Sequence, residues 1–464
     1  MATAGARTIV VGGGLAGLSA AHTLVERGRR VVLLDKWPSL GGNSLKASSG
    51  INGAETAAQK ALGIDDSVEA FAADTLSSAI PHQHPDLITA LTANSPAAIS
   101  WLTDTFGIDL SVVARLGGHS IARTHRGEGG APGYAITDAL MKRLGEEKKV
   151  EIVTHARVTR LLEEEGHIVG VEYRNMAGET VVVRGEGVIL ATGGYAADLS
   201  PDSLIAKHRP DLLSLSTTNG PHATGDGITL ATSDSLPASL RAGTTDLSLV
   251  QIRQPAFWLR KGCAGAGGML VDKNGKRFIK EVERRDVVTA AMQTVEKEER
   301  GPVRLVMGEK AVAGMAKACA FYVFKGLMKR YDNAKAFADD TGVPLDNVLD
   351  TFAQFGTETD PLGSGVDAGM SSISSYLSPL NSPAFTPDEP LHVAITTPVV
   401  HYTMGGLSVD ASARVLAAES GEPIPGLWAA GEVIGGVHGQ NRLAGSSLLE
   451  AVVFGRIAGS GPGA

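Results

Sequence analysis

The sequence predicts an α/β protein with a Rossmann-like nucleotide-binding domain and an inserted α+β domain. Three observations carry this: a strand, glycine turn, helix and strand open the chain, a helical pattern fills about residues 285–355, and short strands return after Thr397. At 464 residues the chain exceeds what one core ordinarily serves, about 250–300 residues. Residues 1–247 and 401–464 are therefore expected to form the nucleotide-binding domain, with residues 248–400 inserted between them.

The first element is "RTIVVGGGLAGLSAAHTLVERGRRVVLLDK", a buried strand, a glycine turn, an amphipathic helix closed at Gly28, and a second strand. From Val150 to Leu190, β-branched residues alternate with polar ones around turns such as "EEEGH" and "NMAGE", which predicts an antiparallel meander ending in an apolar strand. In the insertion, "RDVVTAAMQTVEKEER", "KAVAGMAKACAFYVFKGLMKRY" and "LDNVLDTFAQF" read as helices.

A net charge of -8 excludes general attraction to nucleic acid or an anionic membrane. Cys263 and Cys319 have no metal or CxxC spacing, which fits a reducing compartment. The start reaches its first strand within eight residues, leaving no room for a leader, and no apolar run reaches the roughly 18 residues of a membrane span, so a cytoplasmic protein is expected. Neither a haem-attachment motif nor a cluster-binding cysteine set is present, so any redox chemistry needs an external electron donor or acceptor.

Gly12, Gly14 and Gly17 follow the first strand and open the helix, and Asp35 ends the next strand 18 residues after Gly17. That spacing lets a pyrophosphate approach the helix N-terminus while the acid accepts ribose hydroxyls. Glycine and hydroxyl clusters recur in "GGNSLKASSGING" (from Gly41), "ILATGGY" (from Ile189), "TGDG" (from Thr224) and "WAAGEVIGG" (from Trp428). So many contact points suit an extended FAD better than NAD, and Lys36, Gly42, Thr192 and Gly193 join the candidate cofactor residues.

"GGNSLKASSGING", "LGGHSIARTHR", "TTNGPHATGDG", "TPVVHYTMGG" and "AAGEVIGGVHGQNRLAGSSLLEAVVFGR" closely resemble the fumarate reductase and succinate dehydrogenase flavoproteins, above all the soluble fumarate reductases. The resemblance implies an FAD domain with a capping domain. By position it assigns FAD contacts to Ala16, Asp35, Asn43, Ser44, Ser48, Ser49, Gly50, Val158, Asp226, Glu432, Ser447 and Leu448. Asn43 stands where membrane-complex members carry the flavin-linking histidine, so the FAD is expected to be noncovalent. The family passes a hydride between flavin N5 and one alkene carbon while an arginine protonates the other. The resemblance places that arginine at Arg285, and the carboxylate clamp at His401 and Arg442, with Gly445 beside the substrate.

The family's Gln-x-His-Pro-Thr and Thr-Glu-Ala-x-Arg-Gly motifs become "VQIRQPAF" and "RKGCAG", so Arg253, Arg260, Lys261 and Ala264 replace its histidine, threonine, glutamate and arginine. Arginine is a reluctant acid, and the residues that reprotonate it in the family are missing. On one reading Arg253, with Arg260 or Lys261, faces the pocket and recognises an acid different from or larger than fumarate; on the other, Arg260 and Lys261 are solvated and activity is weakened or lost. The default substrate pair is fumarate and succinate. Alternatives are a desaturase or oxidase of another dicarboxylic or amino-dicarboxylic acid, or a flavin-bearing regulatory protein.

Overall fold

The computed structural model describes residues 7–253, 268–281, 285–313, 316–357 and 385–463. The chain divides into two compact units, Met1–Gln251 with Val400–Ala464, and Ile252–Val399.

The first unit is organised by β1 (Arg7–Val11), α1 (Leu15–Glu26) and β2 (Arg30–Leu34), the predicted opening unit. β1 pairs in parallel with β2 and with β4 (Val188–Leu190). β3 (Val150–Val153) extends the sheet beyond β2, and β5 (Pro423–Ala429) extends it beyond β4, with an antiparallel edge at Arg414–Leu416. Ile9, Val10, Leu33, Leu34 and Ile189 are fully buried, the apolar run expected of parallel strands covered on both faces. α1 packs on α2 (Ser446–Ser460) through small residues: a Cβ added at Gly455 would lie 2.5 Å from the Ala16 carbonyl oxygen, and one at Gly459 2.7 Å from that of Ala20.

The predicted meander needs one correction. Arg157–Glu164, His167–Arg174 and Thr180–Arg184 form a three-stranded antiparallel sheet, but Val150–Val153 is the parallel partner of β2, with Val150 opposite Val31. As an edge strand with Glu151 and Ile152 exposed, it lacks the apolar run that marks its neighbours, so its pattern imitates a hairpin strand.

In the second unit an antiparallel sheet runs in the order Met269–Val271, Arg304–Met307, Leu391–Ile395, Lys329–Tyr331. Alternation along its strands builds two cores. Leu270, Leu305, Met307 and Ala394 face a cluster with Val288, Met292 and Cys319, whereas Met269, Val271, Val306 and Val393 face one with Phe337, Val348 and Phe352. The predicted helix over "KAVAGMAKACAFYVFKGLMKRY" is corrected. The chain is helical at Glu309–Ala313 and Ala316–Phe324, then turns at Gly326, φ 69°, and pairs as a strand at Lys329–Tyr331. Runs as short as Arg304–Met307 do not separate strand from helix by periodicity. Among the described residues no helix is long and apolar enough to cross a membrane.

Candidate functional site

The three glycines of the opening turn do three different things. A Cβ at Gly12, where φ is 107°, would lie 2.2 Å from the Ala191 carbonyl oxygen, and one at Gly17 would lie 1.9 Å from that of Gly12. These two glycines allow the turn and the helix to close on the sheet. A Cβ at Gly14 would meet nothing within 4 Å, so this glycine keeps open the space before the helix. α1 has no side-chain cap at Gly14 and no acid in its first turn, which leaves its amides and dipole available to an anion. Asp35 shapes the turn, accepting from the Gly13 and Trp37 amides, both at 2.7 Å. The arrangement fits a pyrophosphate with its ribose at Asp35.

The other predicted cofactor residues gather in the same unit. Gly42, Asn43 and Ser44 lie in the 3₁₀ turn Gly42–Lys46, followed by Ser48, Ser49 and Gly50. Ser44 Oγ accepts from the amide of Leu15, next to Ala16 in α1, at 3.3 Å. Asn43 is held on both ends of its amide: its Nδ2 donates to Asn219 Oδ1 and its Oδ1 accepts from the Gly220 amide at 2.9 Å. Lys36 Nζ donates to Thr224 at 2.6 Å and to Asp226 at 3.0 Å. Burial would raise the Asp226 carboxyl, but bonds from Thr224 and Lys36 and the charge of Arg157 bring it below the usual range. Val158 is buried in its strand beside Arg157. Thr192 Oγ1 is buried without a hydrogen-bond partner among the described residues, next to Gly193 at φ 73°. Ser447 and Leu448 lie in the first turn of α2, whose N-cap, Gly445, has φ 89° and no side-chain cap.

Glu432 is half-buried, and its Oε1 accepts from the Thr403 amide at 3.0 Å and hydroxyl at 3.2 Å. Burial is the main cause pushing its carboxyl up to about 7, with the charge of Glu450 adding to the effect. Gly194 makes room for both partners, since a Cβ there would lie 2.1 Å from Thr403 Oγ1 and 2.5 Å from Glu432 Oε1.

The predicted clamp residues His401 and Arg442 stand on different supports. Thr218 Oγ1 lies 2.7 Å from His401 Nδ1, and Asn219, the partner of Asn43, donates to the His401 carbonyl at 2.8 Å. The cofactor and substrate candidates are thus joined through Asn219. Arg442 is 4% exposed. One terminal nitrogen donates to Gln251 Oε1 at 2.9 Å, the other to the Leu443 carbonyl at 3.0 Å, and Nε has no partner among the described residues. Its guanidinium lies 4.6 Å from the centroid of the Tyr402 ring, and the Tyr402 hydroxyl donates to Glu450 Oε2. Burial depresses the Arg442 guanidinium, opposed by Tyr402, Glu432 and Glu450. Burial and the Glu450 charge keep the Tyr402 phenol protonated, well above its ordinary value. His438 Nε2 is 3.2 Å from Glu450 Oε2, close enough for an ion pair but without hydrogen-bond geometry.

Gln251, Tyr402 and Glu450 escaped the sequence reading. Gln251 had a signal, as the glutamine of the altered Gln-x-His motif: its amide also donates to Asn441 Oδ1 at 3.0 Å and to the Arg442 carbonyl at 3.1 Å, so it grips Arg442 at both ends. Arg253 ends the strand Val250–Arg253 and Arg285 begins the helix Arg285–Lys297, but their side chains lie outside the described residues, as do Arg260, Lys261 and Ala264 altogether.

The sequence matches the FAD binding domain family over residues 7–448. It is 39% identical to a fumarate reductase of Schizosaccharomyces pombe, over 98% of this chain and 89% of the relative. It is 30% identical to a urocanate reductase of Eggerthella lenta, over 97% of this chain and 73% of the relative. Among solved structures, the open conformation of a flavocytochrome c3 fumarate reductase superposes with a TM-score of 0.79 at 30% identity, over 98% of this chain and 77% of that one.

Proposed function

This chain belongs to the FAD binding domain family that includes the fumarate reductases, and from that premise we propose that it hydrogenates the carbon–carbon double bond of an unsaturated acid, with fumarate to succinate as the default reaction. It is a fumarate reductase-like flavin-dependent oxidoreductase of the CH–CH class, and its cofactor is FAD. Bound FAD supplies the hydride. The observation that carries the substrate class is Arg442, a buried guanidinium whose Nε–H has no partner among the described residues. A carboxylate is the anion whose planar oxygens match that donor edge, and a charge-assisted bond in a dry site is stronger than the same bond in water.

In this reading Arg442 and His401 hold the carboxylate, with Gly445 at the same loop, and Arg285 delivers the proton. Thr218 and Asn219 set the turn of the His401 ring and the path of its backbone. A carboxylate drawn to Arg442 also withdraws electron density from the neighbouring alkene carbon as charge develops, which favours hydride addition. The FAD is noncovalent, because the Asn43 amide is a poor nucleophile and is occupied at both ends by Asn219 and Gly220. Arg253, Arg260 and Lys261, in place of the family's histidine, threonine and glutamate, favour an acid larger or more anionic than fumarate. Their loss of the family's proton-return residues also favours a second reading, in which the reaction runs as the desaturation of a pathway acid. Electrons come from, or go to, an external carrier.

The test is anaerobic stopped-flow of the photoreduced protein against fumarate, urocanate, acrylate and larger unsaturated diacids. Reoxidation of the flavin by at least one of them is expected; reoxidation by none sinks the reductase reading. Hydrogen peroxide formed with aspartate would point to an amino-acid oxidase.

A further inference from the structure

The motif "LGGHSIARTHR" lies outside every role assigned above, yet it reaches the clamp loop from beneath. Its arginine, Arg123, is fully buried, with Nε and one terminal nitrogen on Asp66 at 3.1 and 2.8 Å and the other terminal nitrogen on Asp74. That last nitrogen also lies 3.2 Å from His119 Nδ1. A guanidinium has donors only, so His119 Nδ1 must be the acceptor and the proton of the neutral ring must sit on Nε2. A doubly protonated ring would aim Nδ1–H at a cation. Nε2 lies 3.0 Å from the carbonyl oxygen of Ala444, two residues past Arg442, and the assigned tautomer makes it the donor.

The loop has little other choice of path. Asn52 donates its side-chain amide to the same Ala444 carbonyl at 3.0 Å and to Ser446 Oγ at 2.9 Å, and its backbone amide to the Gly445 carbonyl at 3.2 Å. A Cβ at Gly118 would lie 2.5 Å from Leu443, so the residue before His119 packs against the residue after Arg442. Loop residues 443–446 are therefore set by a fixed surface, and Arg442 and the start of α2 are carried on that loop.

We propose that His119 is a positioning residue for Arg442: with its tautomer locked by Arg123, it holds the Ala444 carbonyl and thereby the aim of the guanidinium at a substrate carboxylate. This rests on the carboxylate-clamp reading of Arg442. The ε nitrogen is the essential atom, and glutamine places an amide nitrogen near that position, whereas leucine fills the volume with no donor. The experiment titrates the FAD-loaded protein with fumarate and succinate, reading flavin absorbance difference spectra, and measures kcat and KM separately. His119→Leu is expected to weaken carboxylate binding and raise KM about tenfold, the order expected from one lost buried hydrogen bond, with kcat changed much less and FAD content retained. His119→Gln is expected within about twofold of the unchanged protein. If His119→Leu does not fold, His119→Asn replaces it, since its shorter amide reaches only the δ position and leaves the Ala444 carbonyl to Asn52 alone. Unchanged carboxylate binding in a folded donor-less variant overturns the proposal alone, and so does a glutamine variant as impaired as the leucine one. An unchanged protein that binds no carboxylate overturns this proposal together with the reading it rests on.

Discussion

The glycine turn before α1 and the loop around Arg442, the two places proposed to receive an anion, are built by opposite means. The turn works by what is missing: Gly12 and Gly17 remove atoms so that backbone can close, and Gly14 leaves space. The loop works by what is present: a buried guanidinium framed by Gln251, Tyr402 and the Leu443 carbonyl. The first gives many weak, short-range donors suited to a diphosphate; the second gives one strong, directed donor suited to a carboxylate. A site made of absent side chains tolerates the chemistry of its neighbours, whereas a site made of a buried charge depends on each of them.

That contrast predicts where damage falls. The largest effect belongs to Arg442→Ala, expected to lower kcat/KM for the best unsaturated acid by roughly a thousandfold while FAD content stays unchanged. Loss of FAD instead would show that the loop serves the cofactor and not the substrate.

Glu432 comes next, through pH. Its folded-state value, about 7, lies above the ordinary 4.5, so its protonated form stabilises the fold fully below about 4.5 and that contribution disappears as pH rises to 7. His125 runs the other way: burial depresses it from 6.5 to about 4, so stability falls as pH drops through that interval. Because the two windows overlap, the informative quantity is the difference between Glu432→Gln and the unchanged protein in urea unfolding from pH 5 to 8. The glutamine variant should gain relative stability with rising pH, by at most about 3 kcal/mol. A constant difference would mean Glu432 is already ionised in the fold.

Smaller effects separate the glycines. Gly17→Ala is expected to cost about 1–3 kcal/mol of stability even without FAD, because its Cβ collides with backbone. Gly14→Ala should leave the FAD-free protein as stable as before and weaken FAD binding roughly tenfold, measured by flavin fluorescence. If both lose stability equally, Gly14 is a packing residue and the phosphate argument fails. Least is expected of Gln251→Leu, a rise in KM of about fivefold with kcat nearly kept, since Arg442 retains its other partners.

The same contrast explains what could be read beforehand. Missing side chains leave a spacing, and Gly12, Gly14, Gly17 and Asp35 mark the proposed nucleotide site within one supersecondary unit. A buried charge leaves no spacing: Gln251 and Arg442 are 191 residues apart, and Tyr402 and Glu450 are 48 apart. His401 and Arg442 are legible only through family resemblance; of their supports, Gln251 has a signal in the altered Gln-x-His motif, while Tyr402 and Glu450 have none. The parallel edge at Val150–Val153 and the strand Lys329–Tyr331 were misread because short segments take their conformation from the partner strand, which local pattern does not encode.

Gly455 touching Ala16 has a consequence for the order of events in the cell. α1 (Leu15–Glu26) is translated long before α2 (Ser446–Ser460), so it lacks this packing partner throughout the synthesis of the residues between them. The glycine turn at the head of α1 therefore lacks the wall behind it until α2 has been made, so its surroundings are completed by a late-made helix and not by the first βαβ unit alone.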